Sequence, residues 1–305
     1  MSADVPARVV LRDVGPRDGL QNEPPVPTAA KVELIEALGG TGLTEIEAVS
    51  YVHPRAIPQM ADAAEVWATV APRPEVRYSA LVPNLVGARR ALEAGFTDIE
   101  VVVSASRTHN LRNINRTPEE SLAAIAEVID LAHADGARCQ VIVATAFGCP
   151  YEGEIPEDQV VGYAVRAVRA GADSICFGDT TGMGSPPRVR RLVGGFRDRE
   201  PDHELALHLH DTRGTGMANL VAGLELGVER FDASVGGLGG CPYAPGASGN
   251  IATEEAVYLL HELGVETGVD LDHLLEVAAT AERLVGRELP SRLLKAGPRT
   301  RLSPL

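Results

Sequence analysis

The stretch LALHLHDTRG, residues 205–214, carries two imidazoles one residue apart inside an apolar run. Successive strand side chains point to opposite faces, so His208 and His210 share one face, and Leu207 and Leu209 share the other. Two hydrogen-bonded strand-end histidines satisfy that pattern. So does metal ligation, because neutral imidazole is the commonest metal ligand. The stretch alone leaves both open. Other residues could complete a site. VGPRDGLQNE (14–23) sets Arg17 beside Asp18 in a Gly- and Pro-containing turn. One carboxylate and two imidazoles with positions left for substrate suit Mg²⁺ or Mn²⁺, whereas a closed Zn²⁺ site more often recruits thiols. The loop GGLGGCPYAPGASGN (236–250) holds six glycines in fifteen residues and carries Cys241. Core cysteines sit in apolar elements, as Cys139 and Cys176 do, so a loop thiol is a candidate acid, base or nucleophile. Asn250 precedes IATEEAVYLLHEL, where it is either a helix cap or a ligand. Glu47 in EIEAVS and Asp179 in CFGDTTGMG are either acids opening the next helix or carboxylates ringing the same mouth.

Whether these residues can meet depends on the elements that carry them. Short β-branched runs fall at 8–14, 44–50, 76–83, 98–106, 139–147, 173–180, 204–211 and 230–237, with helical patterns between them. The clearest helix is 117–136: Thr117 caps it, Pro118 takes the first helical position, Glu120 completes a capping box and Gly136 stops it. Eight strands alternating with helices predict a (β/α)8 TIM barrel. A doubly wound sheet lacks its G-x-G-x-x-G turn. The expected layout is one catalytic domain over 1–305, with the barrel at about 8–265 and a helical C-terminal extension at about 268–290 that includes a helix at 271–286. In such a barrel the site lies at the C-terminal ends of the strands, where His208, His210 and Asp18 all fall.

Bulk properties narrow the partners. The 305 residues include 28 basic and 42 acidic side chains, a formal charge of −14, which disfavours nucleic acid and anionic membranes. No apolar run reaches 18 residues, so no membrane span is expected. Four cysteines without a C-x-x-C pair and no signal peptide suggest a reduced, cytoplasmic setting. Only Lys31 and Lys295 could form a Schiff base, and neither ends a predicted strand. That disfavours a class I aldolase.

VGPRDGLQNE, GCPYEG (148–153), GDTTGMG, HLHDT and GGLGGCPYAPGASGNIATEE together resemble 3-hydroxy-3-methylglutaryl-CoA lyase, in order and spacing, from about residue 8 to 285. The wider group comprises metal-dependent aldolase and Claisen-type barrels. The resemblance implies cleavage of the acyl-CoA substrate to acetyl-CoA and acetoacetate, as in leucine breakdown. It implies that Asp18, His208, His210 and Asn250 hold the cation. Arg17 would meet the thioester carbonyl and Cys241 would act from a mobile loop. Glu47 and Asp179 would support the metal shell and proton transfer, with Glu254 near the loop's end. A homo-oligomer is expected. Chemistry assigns the hydroxyl proton first to Asp18 and second to His208. Alternatives are a lyase for a related 3-hydroxyacyl-CoA, the acyl contacts altered by His53 and Arg55, a synthase condensing acetyl-CoA with a 2-oxo acid, and a silent CoA-ester-binding barrel.

Overall fold

The computed structural model describes residues 5–240 and 249–302. Its strands are β1 (Val10–Asp13), β2 (Glu45–Ser50), β3 (Arg77–Leu81), β4 (Asp98–Ser104), β5 (Arg138–Ala144), β6 (Ser174–Gly178), β7 (Leu205–His208) and β8 (Arg230–Ala233). They pair in parallel, in sequence order, into a closed barrel, with β8 returning to β1. The helices are α1 (Thr28–Gly39), α2 (Ala63–Thr69), α3 (Leu85–Glu93), α4 (Arg107–Ile114), α5 (Pro118–Ala134), α6 (Glu157–Arg169), α7 (Pro186–Arg197), α8 (Gly216–Leu224), α9 (Thr253–Glu262), α10 (Leu271–Val285) and α11 (Arg292–Ala296). Seven predicted strand windows contain an observed strand, and the window at 139–147 overlaps β5, which starts one residue earlier. The capping box of α5 forms as read, with Thr117 Oγ1 accepting from Glu120 N and Glu120 Oε2 accepting from Thr117 N. Left-handed Gly286 ends α10.

The core lies between barrel and helices. Outward-facing Leu11, Ile46, Ile99, Val141, Ile175 and Phe177 pack against apolar helix stripes and are fully buried. Phe177 meets Phe196 of α7 edge-to-face at 5.5 Å. The interior differs from the aliphatic layers usual in such barrels. Its apolar filling is a small cluster of Leu81, Ile142, Cys176 and Ala206. Below it, at the N-terminal end, Arg12, Glu45, Arg77, Glu100, Arg138, Glu204 and Arg230 line a small cavity of about 30 Å³. Glu45 receives both Arg77 and Arg230. Charge can be buried there because each group is paired.

Asp13 ends β1 on the outer face, fully buried against the start of α9. Its Oδ2 accepts from Thr253 Oγ1 at 2.6 Å and its Oδ1 from Gly15 N at 2.8 Å. Burial outweighs those bonds and lifts the carboxyl to about 7. A raised pKa means that the protonated group's contribution is fully present below about pH 4 and lost as pH rises through 7. Asp13→Asn has nothing to ionise, and its amide can serve both partners. Relative to wild type, the variant therefore gains on the order of 3 kcal/mol of unfolding free energy between pH 4 and pH 8. Urea titrations across that range check this, and parallel curves for the two proteins contradict it.

Candidate active site

Strand register builds the centre. In the parallel pairing, Asp232 of β8 stands opposite both Arg12 of β1 and His208 of β7. All three side chains point inward, and the register brings them into contact. Arg12 clasps Asp232 with Nε donating to Oδ1 at 2.9 Å and Nη2 to Oδ2 at 2.8 Å. His208 Nδ1 lies 3.2 Å from Asp232 Oδ2, which fixes Nδ1 as the protonated nitrogen and turns Nε2 to the mouth. Burial alone would raise Asp232. The Arg12 charge and the bonds from Arg12 and His208 hold it well below the ordinary carboxylate range. For His208, burial opposes protonation, but the Asp232 bond and the charges of Asp18 and Asp232 raise its pKa.

Beyond β1 the chain winds into a wide turn, Gly15–Gly19, in which the N–H groups of Arg17, Asp18 and Gly19 all donate to the Val14 carbonyl. Such π-type turns re-aim side chains and are frequent at functional sites. Gly19 lets this turn pack on the segment after β8: a Cβ there would stand 2.8 Å from Leu238 Cβ. The turn points Asp18 inward, where its ligand atoms, His208's and His210's all lie within 4.8 Å of one another. His208 Nε2 and His210 Nε2 are 3.1 Å apart, and His208 Nε2 is 3.9 Å from Asp18 Oδ2. With the His208 proton on Nδ1, a proton or a cation must lie between the two facing nitrogens. Asn250 comes from the other side through an isolated bridge to His210. Its Nδ2 donates to Asp18 Oδ2 at 2.8 Å, while its buried Oδ1 has no hydrogen-bond partner. An orphaned buried carbonyl oxygen beside a carboxylate and two imidazoles fits a divalent cation. The helix-cap alternative for Asn250 does not hold, because Ala252 occupies the N-cap of α9.

Burial opposes ionisation of Asp18, yet Arg17, His208 and His210 bring it down to about 2, so it is a carboxylate at any working pH. Burial and then the His208 charge lower His210 to about 3, leaving a neutral, ligating imidazole. Arg17 is itself buried and spans two acids: Nη1 donates to Asp18 Oδ1 at 2.8 Å and Nη2 lies 2.7 Å from Glu47 Oε2. Glu47 sits in the middle of β2, not at its end, and burial raises its pKa against the pull of Arg17. Asp179 is outside the cluster of possible ligands. It accepts from Met183 N and Gly184 N, closing the turn after β6, and does not open the next helix, since α7 starts at Pro186. Burial lifts its carboxyl to about 6 against those bonds and the charge of the nearby His208. Glu254 is buried outside the ligand cluster, where it accepts from Gly236 N in the turn after β8. Cys241 lies outside the described residues. The chain on either side, Gly240 and Gly249, comes together beside the cluster: Asn22 Nδ2 reaches Gly240 O, and Asp211 N donates to Gly249 O. Among the described residues, the cysteines Cys139, Cys149 and Cys176 are buried and outside the cluster, with Cys139 pushed up to about 12 by burial. Lys31 is held by Asp62 and Lys295 pairs with Glu288. His53 and Arg55 are exposed on the loop after β2.

Arg12, Glu100 and Asp232 escaped the sequence reading. Their signal is the period-two run of polar residues on inward positions: Arg12; Glu45 and Glu47; Asp98 and Glu100; Arg138 and Gln140; Arg230 and Asp232.

Fold and site define a (β/α)8 barrel whose mouth carries a carboxylate–imidazole cation cluster flanked by a buried arginine. The chain belongs to the HMGL-like family, whose model matches residues 8–281. It is 44% identical over 291 residues to a hydroxymethylglutaryl-CoA lyase of Bacillus subtilis, covering 95% of this chain and 97% of that one. It is 41% identical to the 3-hydroxy-3-isohexenylglutaryl-CoA/hydroxymethylglutaryl-CoA lyase of Pseudomonas aeruginosa, with coverage of 96% and 98%. A solved HMG-CoA lyase of Acinetobacter baumannii, in complex with coenzyme A and 3-methylmalate, superposes with a TM-score of 0.93 at 44% identity, covering 98% of each chain. No helix among the described residues is long and apolar enough to cross a membrane.

Asp232 is buried, and the oxygen that meets His208 also receives Arg12 and the Cys176 thiol. Asp232→Asn keeps the shape but removes the charge that orients and polarises that imidazole. Divalent-cation affinity falls about 10- to 100-fold, as measured by Mn²⁺ titration. Unchanged affinity would contradict the part given to Asp232.

Proposed function

We propose that the chain cleaves 3-hydroxy-3-methylglutaryl-CoA to acetyl-CoA and acetoacetate by a cation-assisted retro-Claisen reaction. The observation that carries this reading is the convergence of Asp18, His208 and His210 beside the buried Arg17 in a barrel of this family. The CoA complex of the Acinetobacter relative supports an acyl-CoA substrate. Asp18, His208, His210 and Asn250 would hold Mg²⁺ or Mn²⁺, which supplies Lewis acidity at the substrate hydroxyl and an anchor for its carboxylate.

The residues do the rest. The proton of the tertiary hydroxyl passes to Asp18, while Asp232, clasped by Arg12, holds the His208 proton on Nδ1 and so keeps Nε2 free to ligate. As that proton leaves, the bond between C2 and C3 breaks. Its electrons move into the thioester as an enolate, and the former alcohol carbon becomes the ketone of acetoacetate. Arg17, held in place by Asp18 and Glu47 without using all five of its N–H groups, faces the enolate oxygen with a permanent charge. The Cys241 thiol, one residue beyond Gly240, protonates the enolate carbon and gives acetyl-CoA. Neither lysine is placed for a Schiff base, which favours this route over an amine-dependent one.

A wider acyl range is a second reading, favoured by the Pseudomonas relative that is named for two substrates. Purified enzyme with Mg²⁺ or Mn²⁺ should form acetoacetate from 3-hydroxy-3-methylglutaryl-CoA, and the isohexenyl analogue tests the wider range. Thiol release from acetyl-CoA and 2-oxo acids without acetoacetate formation would make the chain a synthase instead. Inactivity in all three assays would leave a silent barrel. Arg17→Lys loses about 10²- to 10³-fold in kcat with little change in KM. A raised KM with kcat spared would make Arg17 a substrate anchor.

A further inference from the structure

We infer that the C-terminal segment 287–292 is a positioning brace for the cation cluster, acting through Arg287 and Arg292. The inference rests on the proposed function in taking Asp18, His210 and Asn250 as ligands. The closed barrel is complete without this segment, since β8 already pairs with β1. None of those three ligands sits on a strand. β1 ends at Asp13, β7 at His208 and β8 at Ala233. The His210–Asn250 bridge, with Asp211 N donating to Gly249 O and Ile251 N to Leu209 O, ties two of them together, but strand register does not place Asp18 against that pair.

The segment reaches each of the three chain stretches that bear these ligands. Arg287 closes a two-pronged ion pair on Glu23, with Nε donating to Oε2 at 2.9 Å and Nη2 to Oε1. Glu23 is buried and ends the helical turn that continues directly from Arg17 and Asp18. Arg292 donates from Nη1 and Nη2 to Asp211 Oδ2 at 3.2 and 3.3 Å. Asp211 immediately follows His210, and its backbone N–H holds Gly249, the neighbour of Asn250. Between the two arginines, Ser291 N donates to Gly236 O in the turn after β8. Leu289 packs on Gly236, where a φ of +65° and a Cβ position 2.2 Å from Leu289 Cδ1 favour glycine. One segment thus pins the stretches bearing three ligands from three different loops.

Arg287 and Arg292 have side chains 41% and 71% exposed. Their partners Glu23 and Asp211 are only 4% and 10% exposed, so losing either arginine costs some global stability as well as geometry. The two effects can be separated. Metal-stripped full-length protein is titrated with Mn²⁺, with free ion read by electron paramagnetic resonance and the melting temperature recorded in parallel. Wild type binds one Mn²⁺. Arg287→Met and Arg292→Met each raise the Mn²⁺ Kd about 10-fold at a temperature well below the melting point of either variant. Arg287→Lys, which keeps the charge but only one prong, falls between, and pairing Glu23→Arg with Arg287→Glu restores affinity. Wild-type Kd in both Met variants overturns the brace while leaving the proposed cluster intact. A wild type that binds no Mn²⁺ overturns the cluster itself, and the brace with it.

Discussion

The centre of the molecule is a carboxylate that should not tolerate its position. Asp232 is buried in the barrel, where an isolated charge would be very costly. It persists because Arg12 grips it from one neighbouring strand and His208 from the other. Removing one partner of such a group typically costs about 3–5 kcal/mol, because the other is left charged and unpaired. The three residues are therefore bound to one another, and the parallel register that sets them side by side is bound to them. The sheet fixes where His208 stands, and Asp232 fixes which of its nitrogens faces the mouth.

From that point charge runs along the barrel axis. Below, Glu100 and Ser79 meet beside Arg12, and Glu45 joins Arg77 to Arg230. Above, Arg17 bridges Glu47 and Asp18, and Asp18 meets Asn250 and the two imidazoles. A polar interior of this kind is less suited to hydrophobic stabilisation than the aliphatic layers of an ordinary barrel. The covering shell of helices supplies that burial instead. What the interior supplies is rigidity: every inward charge above has a named partner, so the mouth groups are oriented before substrate arrives. Preorganised dipoles and charges of that sort do most of the electrostatic work in catalysis.

Much of this was legible from residue order. The strands announce themselves through β-branched runs, and α5 through its capping box, because both signals are local. Asp18, His208 and His210 were found because two imidazoles on one strand face and an acid at another strand's end converge once the barrel is assumed. Arg12 and Asp232 were missed because a lone charge in an apolar strand looks incidental until the register shows two of them opposite each other. Asn250 could not be separated from a helix cap by sequence, since the difference lies in where α9 is capped: at Ala252, two residues later. Asp179 has its oxygens engaged by the backbone of its own turn, which no residue order announces, while its charge still meets that of His208. Contacts from residues 287–292 to Glu23 and Asp211 join positions 264 and 81 residues apart, and no local pattern announces them.

The account stands on one cation held by residues of three loops around an imidazole oriented from below. Crystals grown with Mn²⁺ and measured at the manganese absorption edge test it directly. The account predicts a single anomalous peak per chain within bonding distance of Asp18, His208 Nε2, His210 and Asn250 Oδ1. A peak elsewhere, or none at this cluster in a catalytically active protein, would contradict it.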